Sequence, residues 1–117
     1  MNSLDDIQNK QSADPFDVLI FEKGIRAKNL LIDKELDLLV VVLNNGIVLK
    51  MHLYDYPVLQ GATLQQLEDW ELIGDGVGVR WKQLDEDLSI KGFIKSSALS
   101  QALRNLQNAE GDDNVVI

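Results

Sequence analysis

The stretch Leu36–Leu53, LDLLVVVLNNGIVLKMHL, decides how this chain folds. Asn45-Gly46 lies between two apolar runs, and both residues tolerate the positive φ of a type I′ turn, so the segment reads as a β-hairpin. A two-residue loop fixes the register. It pairs Val42 with Leu49, Val40 with Met51 and Leu38 with Leu53, an apolar face expected to be the core. The other face pairs Leu43 with Val48, Val41 with Lys50 and Leu39 with His52. That face is half apolar, whereas a surface antiparallel strand alternates more cleanly. The strand 36–43 is therefore expected to be central and covered on both sides. Leu39, Val41, Leu43 and Val48 become a candidate interface, since a contiguous exposed apolar patch marks an interaction surface.

Working outward, a strand over 25–32 precedes the hairpin across the turn Asp33–Glu35. The result is a three-stranded meander over 25–32, 36–43 and 47–53. Tyr56-Pro57 begins an irregular segment. Thr63 with Gln66 is a capping-box pattern, and Leu64, Leu67 and Trp70 form an apolar helical stripe. A helix is predicted near 64–73, ending at Gly74 as a C′ residue. Short strands follow near 77–81 and 88–90, separated by a polar turn. Leu99, Leu103 and Leu106, spaced i, i+4, i+7 with Ala102 between them, support a C-terminal helix near 96–107. The predicted class is α+β, a small antiparallel sheet with helices. Residues 1–15 read as a flexible acidic leader closed by Asp14-Pro15, 16–107 as one domain, and 108–117 as an acidic tail.

The chain has 117 residues, 45% apolar and 26% charged, the composition of one globular domain. It has no cysteine, which removes disulfides, thiolate nucleophiles and Cys-type zinc sites. The net charge of −8 is concentrated at the ends, and the stretch 23–109 is close to neutral. No Lys or Arg cluster suggests direct contact with nucleic acid. The longest apolar run, Leu38–Leu43, is far short of the ~18 residues of a spanning helix. The N-terminus lacks the charged and apolar regions of a signal peptide. A cytoplasmic protein is expected, with no membrane contact.

Two clusters resemble chemistry. Gly74, Gly76 and Gly78 resemble a phosphate loop, but such loops follow a strand and open a helix. Here the predicted order is the reverse, Asp75 adds negative charge, and the expected role is a helix cap followed by tight turns. Asp85, Glu86 and Asp87 are adjacent, whereas calcium loops use alternate positions with a glycine at the sixth. They read as acids of a solvated turn. His52, the only histidine, is expected as a partly covered structural residue. Trp70 and Trp81 are expected as core anchors. No catalytic, cofactor-binding or metal residue is assigned, and no cofactor is expected.

The segment Ala62–Ile94, with Ala62, Thr63, Gln66, Trp70, Gly74, Gly76, Gly78, Trp81, Leu84, Asp85, Glu86, Asp87, Leu88, Ser89 and Gly92, resembles the bacterial family of domain of unknown function 2442. The upstream NNGIVLKMHLYDYPVL also resembles that family, so the likeness covers roughly Ile25–Ile94. Arg80 stands where the family commonly has histidine, and an arginine cannot act as a base at neutral pH. The resemblance implies a small cytoplasmic α+β protein without established enzymatic activity. Some relatives carry a helix-turn-helix region, and others resemble one half of toxin–antitoxin-type operons. From this follows the expected function, a non-enzymatic interaction domain, antitoxin-like or a regulatory subunit. Its partner would be a small basic protein or a second copy of the chain. The rival expectation is an enzymatic or small-ligand module using Arg80, Asp85, Glu86 and Asp87 around the glycines.

Overall fold

The computed structural model describes residues 14–116, with side chains through Asn108. The expected leader up to residue 13 lies outside the described residues. Asp14 caps a helical turn, α1 (Pro15–Asp17), by accepting the N–H groups of Phe16 at 2.9 Å and Asp17 at 3.4 Å. The turn continues as a π-helical segment, Val18–Glu22, which buries Ile20. Sequence reading placed no element there.

The meander is present. Strands β1 (Ala27–Asp33), β2 (Leu38–Leu43) and β3 (Val48–His52) form an antiparallel sheet in the order β1-β2-β3. β2 is central, as its composition demanded. The register differs from expectation by one residue: Leu39 pairs with Met51, Val40 with Lys50, Val41 with Leu49, and Leu38 with His52. The cause is the loop. Leu43 N–H donates to Ile47 O at 2.9 Å and Gly46 N–H to Leu43 O at 3.0 Å, so the connection holds three residues. Gly46 has a positive φ of 89°, whereas Asn45 does not. This matches a three-residue hairpin loop with a glycine bulge, not a type I′ turn. Asn44 is also engaged elsewhere. Its N–H donates to Arg26 O at 2.8 Å, its Oδ1 accepts from Arg26 N–H at 3.1 Å, and its Nδ2 donates to Gly24 O at 2.9 Å.

A one-residue slip exchanges the two faces of β3 against β2. The core face is Leu39, Val41 and Leu43 with Leu49 and Met51, all buried. The expected interface therefore fails: Leu39, Val41 and Leu43 are core residues, while Val48 is exposed on the other face. That outer face carries Val42 beside Val48 and Val40 beside Lys50.

After β3 come α2 (Pro57–Gln60) and α3 (Leu64–Glu68). The capping box is closed: Gln66 N–H donates to Thr63 Oγ1 at 3.1 Å, and Thr63 N–H donates to Gln66 Oε1 at 3.0 Å. The helix stops at Glu68, not near residue 73, because Trp70–Ile73 forms strand β4. β4 pairs with β5 (Gly78–Trp81), and β5 with β6 (Glu86–Ser89), in a second antiparallel sheet. Trp81 Nε1–H donates to Leu67 O at 3.0 Å in the interior. That carbonyl is one a longer helix would have used for its own i+4 N–H.

The last helix, α4 (Ile90–Val116), starts earlier and ends later than expected. Ser89 Oγ accepts the Gly92 N–H at 3.1 Å, in the manner of an N-cap. Ile90 and Phe93 enter the core, and the helix packs against β3 and α1. One hydrophobic cluster joins both sheets and the helices, from Ile20 through Leu59, Leu67 and Trp81 to Phe93.

Candidate functional site

The glycine motif occupies the tip of the β4–β5 hairpin. Its context is strand–turn–strand, not the helix cap expected from the sequence. Gly74, Asp75 and Gly76 take φ values of 58°, 58° and 95°. A Cβ on Gly76 would stand 2.5 Å from Ala27 O, so only glycine lets this tip rest on β1. Gly78 is held closely between the Ile73 side chain and Leu88 O. Val77 O, in the same turn, accepts the Ile90 N–H at 2.8 Å and so seats the start of α4. The motif joins the two sheets to the helix and presents no row of N–H groups ahead of a helix.

The acids diverge. Alternation along β6 sends Asp87 and Glu86 to opposite faces. Asp87 pairs across the strands with Arg80, whose Nε and Nη2 donate to its two carboxylate oxygens at 2.9 and 3.0 Å. Both side chains are about half exposed. The Arg80 hydrogen bond holds the Asp87 carboxyl below its ordinary value, and the same contact raises the Arg80 guanidinium. Asp85 ends the 3₁₀ turn after β5 in a left-handed conformation, with φ 51°. Ser89 caps α4. Trp81 is fully buried and Trp70 is partly buried against the same core, as anchors should be. Among the described residues, no group of three His, Asp or Glu side chains is placed to hold a metal ion. Of Arg80, Asp85, Glu86 and Asp87, the structure joins Arg80 to Asp87 and sends Glu86 to the opposite face of the strand.

Among the described residues, four cavities were not anticipated, one of them, of about 450 Å³, beside Arg26, Asn44 and Asp75; the other three bear on function. One of about 270 Å³, lined by Ile73, Val77, Gly78 and Leu88, lies on one side of β6. Another, of about 250 Å³, lies against Tyr56, Ser89, Phe93 and Ser96. There the Tyr56 hydroxyl is sealed from solvent and has no hydrogen-bond partner in good geometry among the described residues. Burial raises the Tyr56 hydroxyl above the ordinary tyrosine value, with Ser96 opposing, so any contact with Ser96 is loose. The third is a groove of about 440 Å³ between the end of β3 and α4, lined by His52, Tyr54, Leu99, Leu103 and Arg104. His52 lies opposite Leu38, not Leu39. It is about half exposed, stacks on Tyr54 at 4.7 Å, and its Nδ1 lies 3.4 Å from Asp37 Oδ2.

Beyond the groove, the stripe that supported the last helix is not buried. Leu99, Leu103 and Leu106 are 64%, 53% and 64% exposed. Leu31 and Val48 on the outer sheet face are exposed as well. The available sequence signal was the surroundings of the stripe: small and polar residues with almost no charge to solvate it.

Two three-stranded antiparallel sheets, joined by a glycine hairpin and closed by a helix, define a small α+β domain. The chain belongs to the DUF2442 family of proteins of unknown function, whose model matches residues 28–98. It is similar in structure to a protein of unknown function from Rhodospirillum rubrum ATCC 11170. That similarity has a TM-score of 0.55 at 32% identity over 62% of this chain and 87% of that one. It is also similar to an uncharacterized protein from Chromobacterium violaceum, with a TM-score of 0.57 at 26% identity over 77% of this chain and 82% of that one. No curated protein matches the chain. No helix among the described residues is long and apolar enough to cross a membrane.

Proposed function

We propose that this chain is a non-enzymatic protein-interaction domain of the cytoplasm, an antitoxin-like or regulatory subunit that does not contact nucleic acid directly. The observation that carries the reading is the exposure of Leu99, Leu103 and Leu106 along one helix. Single exposed apolar residues are ordinary, but a row at helical spacing is not. The reading no longer rests on Leu39, Val41 and Leu43. The acidic ends keep a small basic protein as a candidate partner, beside a second copy.

The test is a tagged pull-down from the native host, with the wild type and Leu103→Glu side by side. A protein held in fixed ratio by the wild type and lost by the variant supports the reading. Equal capture by both, or a wild type that is monomeric and captures nothing, overturns it.

A small-ligand reading is favoured by one feature, the buried Tyr56 hydroxyl beside the cavity of about 250 Å³. Screening small polar ligands against the wild type and Tyr56→Phe tests it. Binding that vanishes in the variant supports it, and no binding to the wild type removes it.

A further inference from the structure

We propose that α4 is a self-recognition helix: two copies of the chain pair antiparallel through Leu99, Leu103 and Leu106. The inference rests on the interaction reading above and names its partner.

The first turns of α4 are anchored by buried Ile90 and Phe93. From Gln101 through Asn108 every side chain is exposed. A helical segment of about 12–15 residues is marginal in water without packing, and Gly111 lowers its propensity further. The segment holds two leucines that the body of the protein leaves uncovered. A second helix would bury them.

The spacing suits a helix as the covering element. Leu99, Leu103 and Leu106 are separated by four and then three residues, the d-a-d step of a two-helix seam. Turned about the midpoint of the stripe, Leu99 faces Leu106 of the second copy, and the two Leu103 side chains flank the axis side by side. The contact is isologous, so one surface serves both partners. Ala98, Ser100 and Ala102 flank the seam and let the helix axes approach closely. Tyr54, half exposed in the groove beside Leu99 and Leu103, adds a wall on each side.

Charge selects the occupant and its direction. From 96 to 109 the only charged residue is Arg104. A basic partner would find no acid in this stretch, whereas in a copy turned about the stripe each Arg104 lies across from the neutral Gln101. Glu110, Asp112 and Asp113 follow the stripe in sequence, and Lys95 precedes it. A parallel pair would bring the two acidic ends together. An antiparallel pair sends each toward the lysine-bearing end of the other, which opposed helix dipoles also favour.

Because the chain has no cysteine, introduced thiols report the geometry directly. Leu103→Cys, oxidised with copper phenanthroline in air, is expected to give a covalent dimer. Leu99→Cys and Leu106→Cys are each expected to stay single alone and to cross-link when mixed. The wild type should show twice the chain mass by light scattering. Leu103→Glu and Leu106→Lys should each show the single mass while keeping the circular dichroism of the sheets. A wild type of single mass at high protein concentration overturns the proposal, and self-cross-linking of all three cysteine variants overturns the antiparallel arrangement. A single-mass wild type that still captures another protein through Leu103 would sink self-pairing and leave the interaction reading standing.

Discussion

Gly76 rests against the carbonyl of Ala27 so closely that a Cβ would stand 2.5 Å from that oxygen. The contact ties the hairpin tip of the second sheet to the first strand of the first. Gly76→Ala must move backbone and also holds a φ of 95° that L residues rarely adopt. The variant is expected to lose about 2–4 kcal/mol of stability, read as a lower urea midpoint with an unchanged slope. A loss within experimental error would show that the two sheets do not depend on this approach.

Trp81 ends α3 by taking the carbonyl of Leu67. Trp81→Phe leaves that buried oxygen without its donor and opens space in the core. The expected cost is about 2–4 kcal/mol, measured by denaturant unfolding. Trp70→Phe, at a partly buried position without such a bond, should cost less.

The hairpin loop discriminates between the two registers. With three loop residues only Gly46 needs a positive φ, so Gly46→Ala should cost about 1 kcal/mol. Asn45→Ala loses one exposed bond to the Ile47 N–H and should cost less. Asn44→Ala loses the bonds to Arg26 and Gly24 and should cost about 1–2 kcal/mol. A two-residue type I′ turn would instead make Asn45 a demanding position. Thermal melts of the three variants rank them.

Stability should decline on the acid limb through Asp87 and Asp14. Arg80 holds Asp87 below the ordinary carboxylate value. The Lys91 hydrogen bond, partly opposed by burial, does the same for Asp14, with the N–H groups of Phe16 and Asp17 assisting. A depressed folded-state pKa stabilises above the unfolded value, near 3.9, and the contribution is lost as pH falls through the folded value. Asp87→Asn and Asp14→Asn should flatten this limb in urea midpoints measured against pH. Lys91 is raised by its hydrogen bonds to Asp14 and Asp17, so its contribution is present below the unfolded value and lost as pH rises through the folded one. The Arg80–Asp87 pair is about half exposed, so its removal at neutral pH should change stability little, whereas Lys91 and Asp14 are about two-thirds covered and should cost more.

Periodicity and turn chemistry made the meander, the Thr63–Gln66 cap and the closing helix legible. Runs of branched residues, a glycine turn and a reciprocal cap act within a few residues and carry their own signal. The register of β3 was not legible, because Asn44 is claimed by Arg26 and Gly24, some twenty residues away. The end of α3 was hidden for the same kind of reason, since Leu67 O is taken by an indole fourteen residues on. Gly74 and Gly76 do lie in a turn, though not at a helix end, and of the three acids only Asp85 does, because Glu86 and Asp87 open strand β6. That the glycine turn joins two sheets appears only when Gly76 meets Ala27.

Sequence alone determined the α+β class, the central apolar strand and the family, because composition and local spacing suffice for each. Only the tertiary structure decided which apolar residues are core and which are surface. A one-residue slip in a strand exchanges its two faces, and a helical stripe is buried only if something stands opposite it. Leu39, Val41 and Leu43 found partners within the chain, and Leu99, Leu103 and Leu106 were left facing outward.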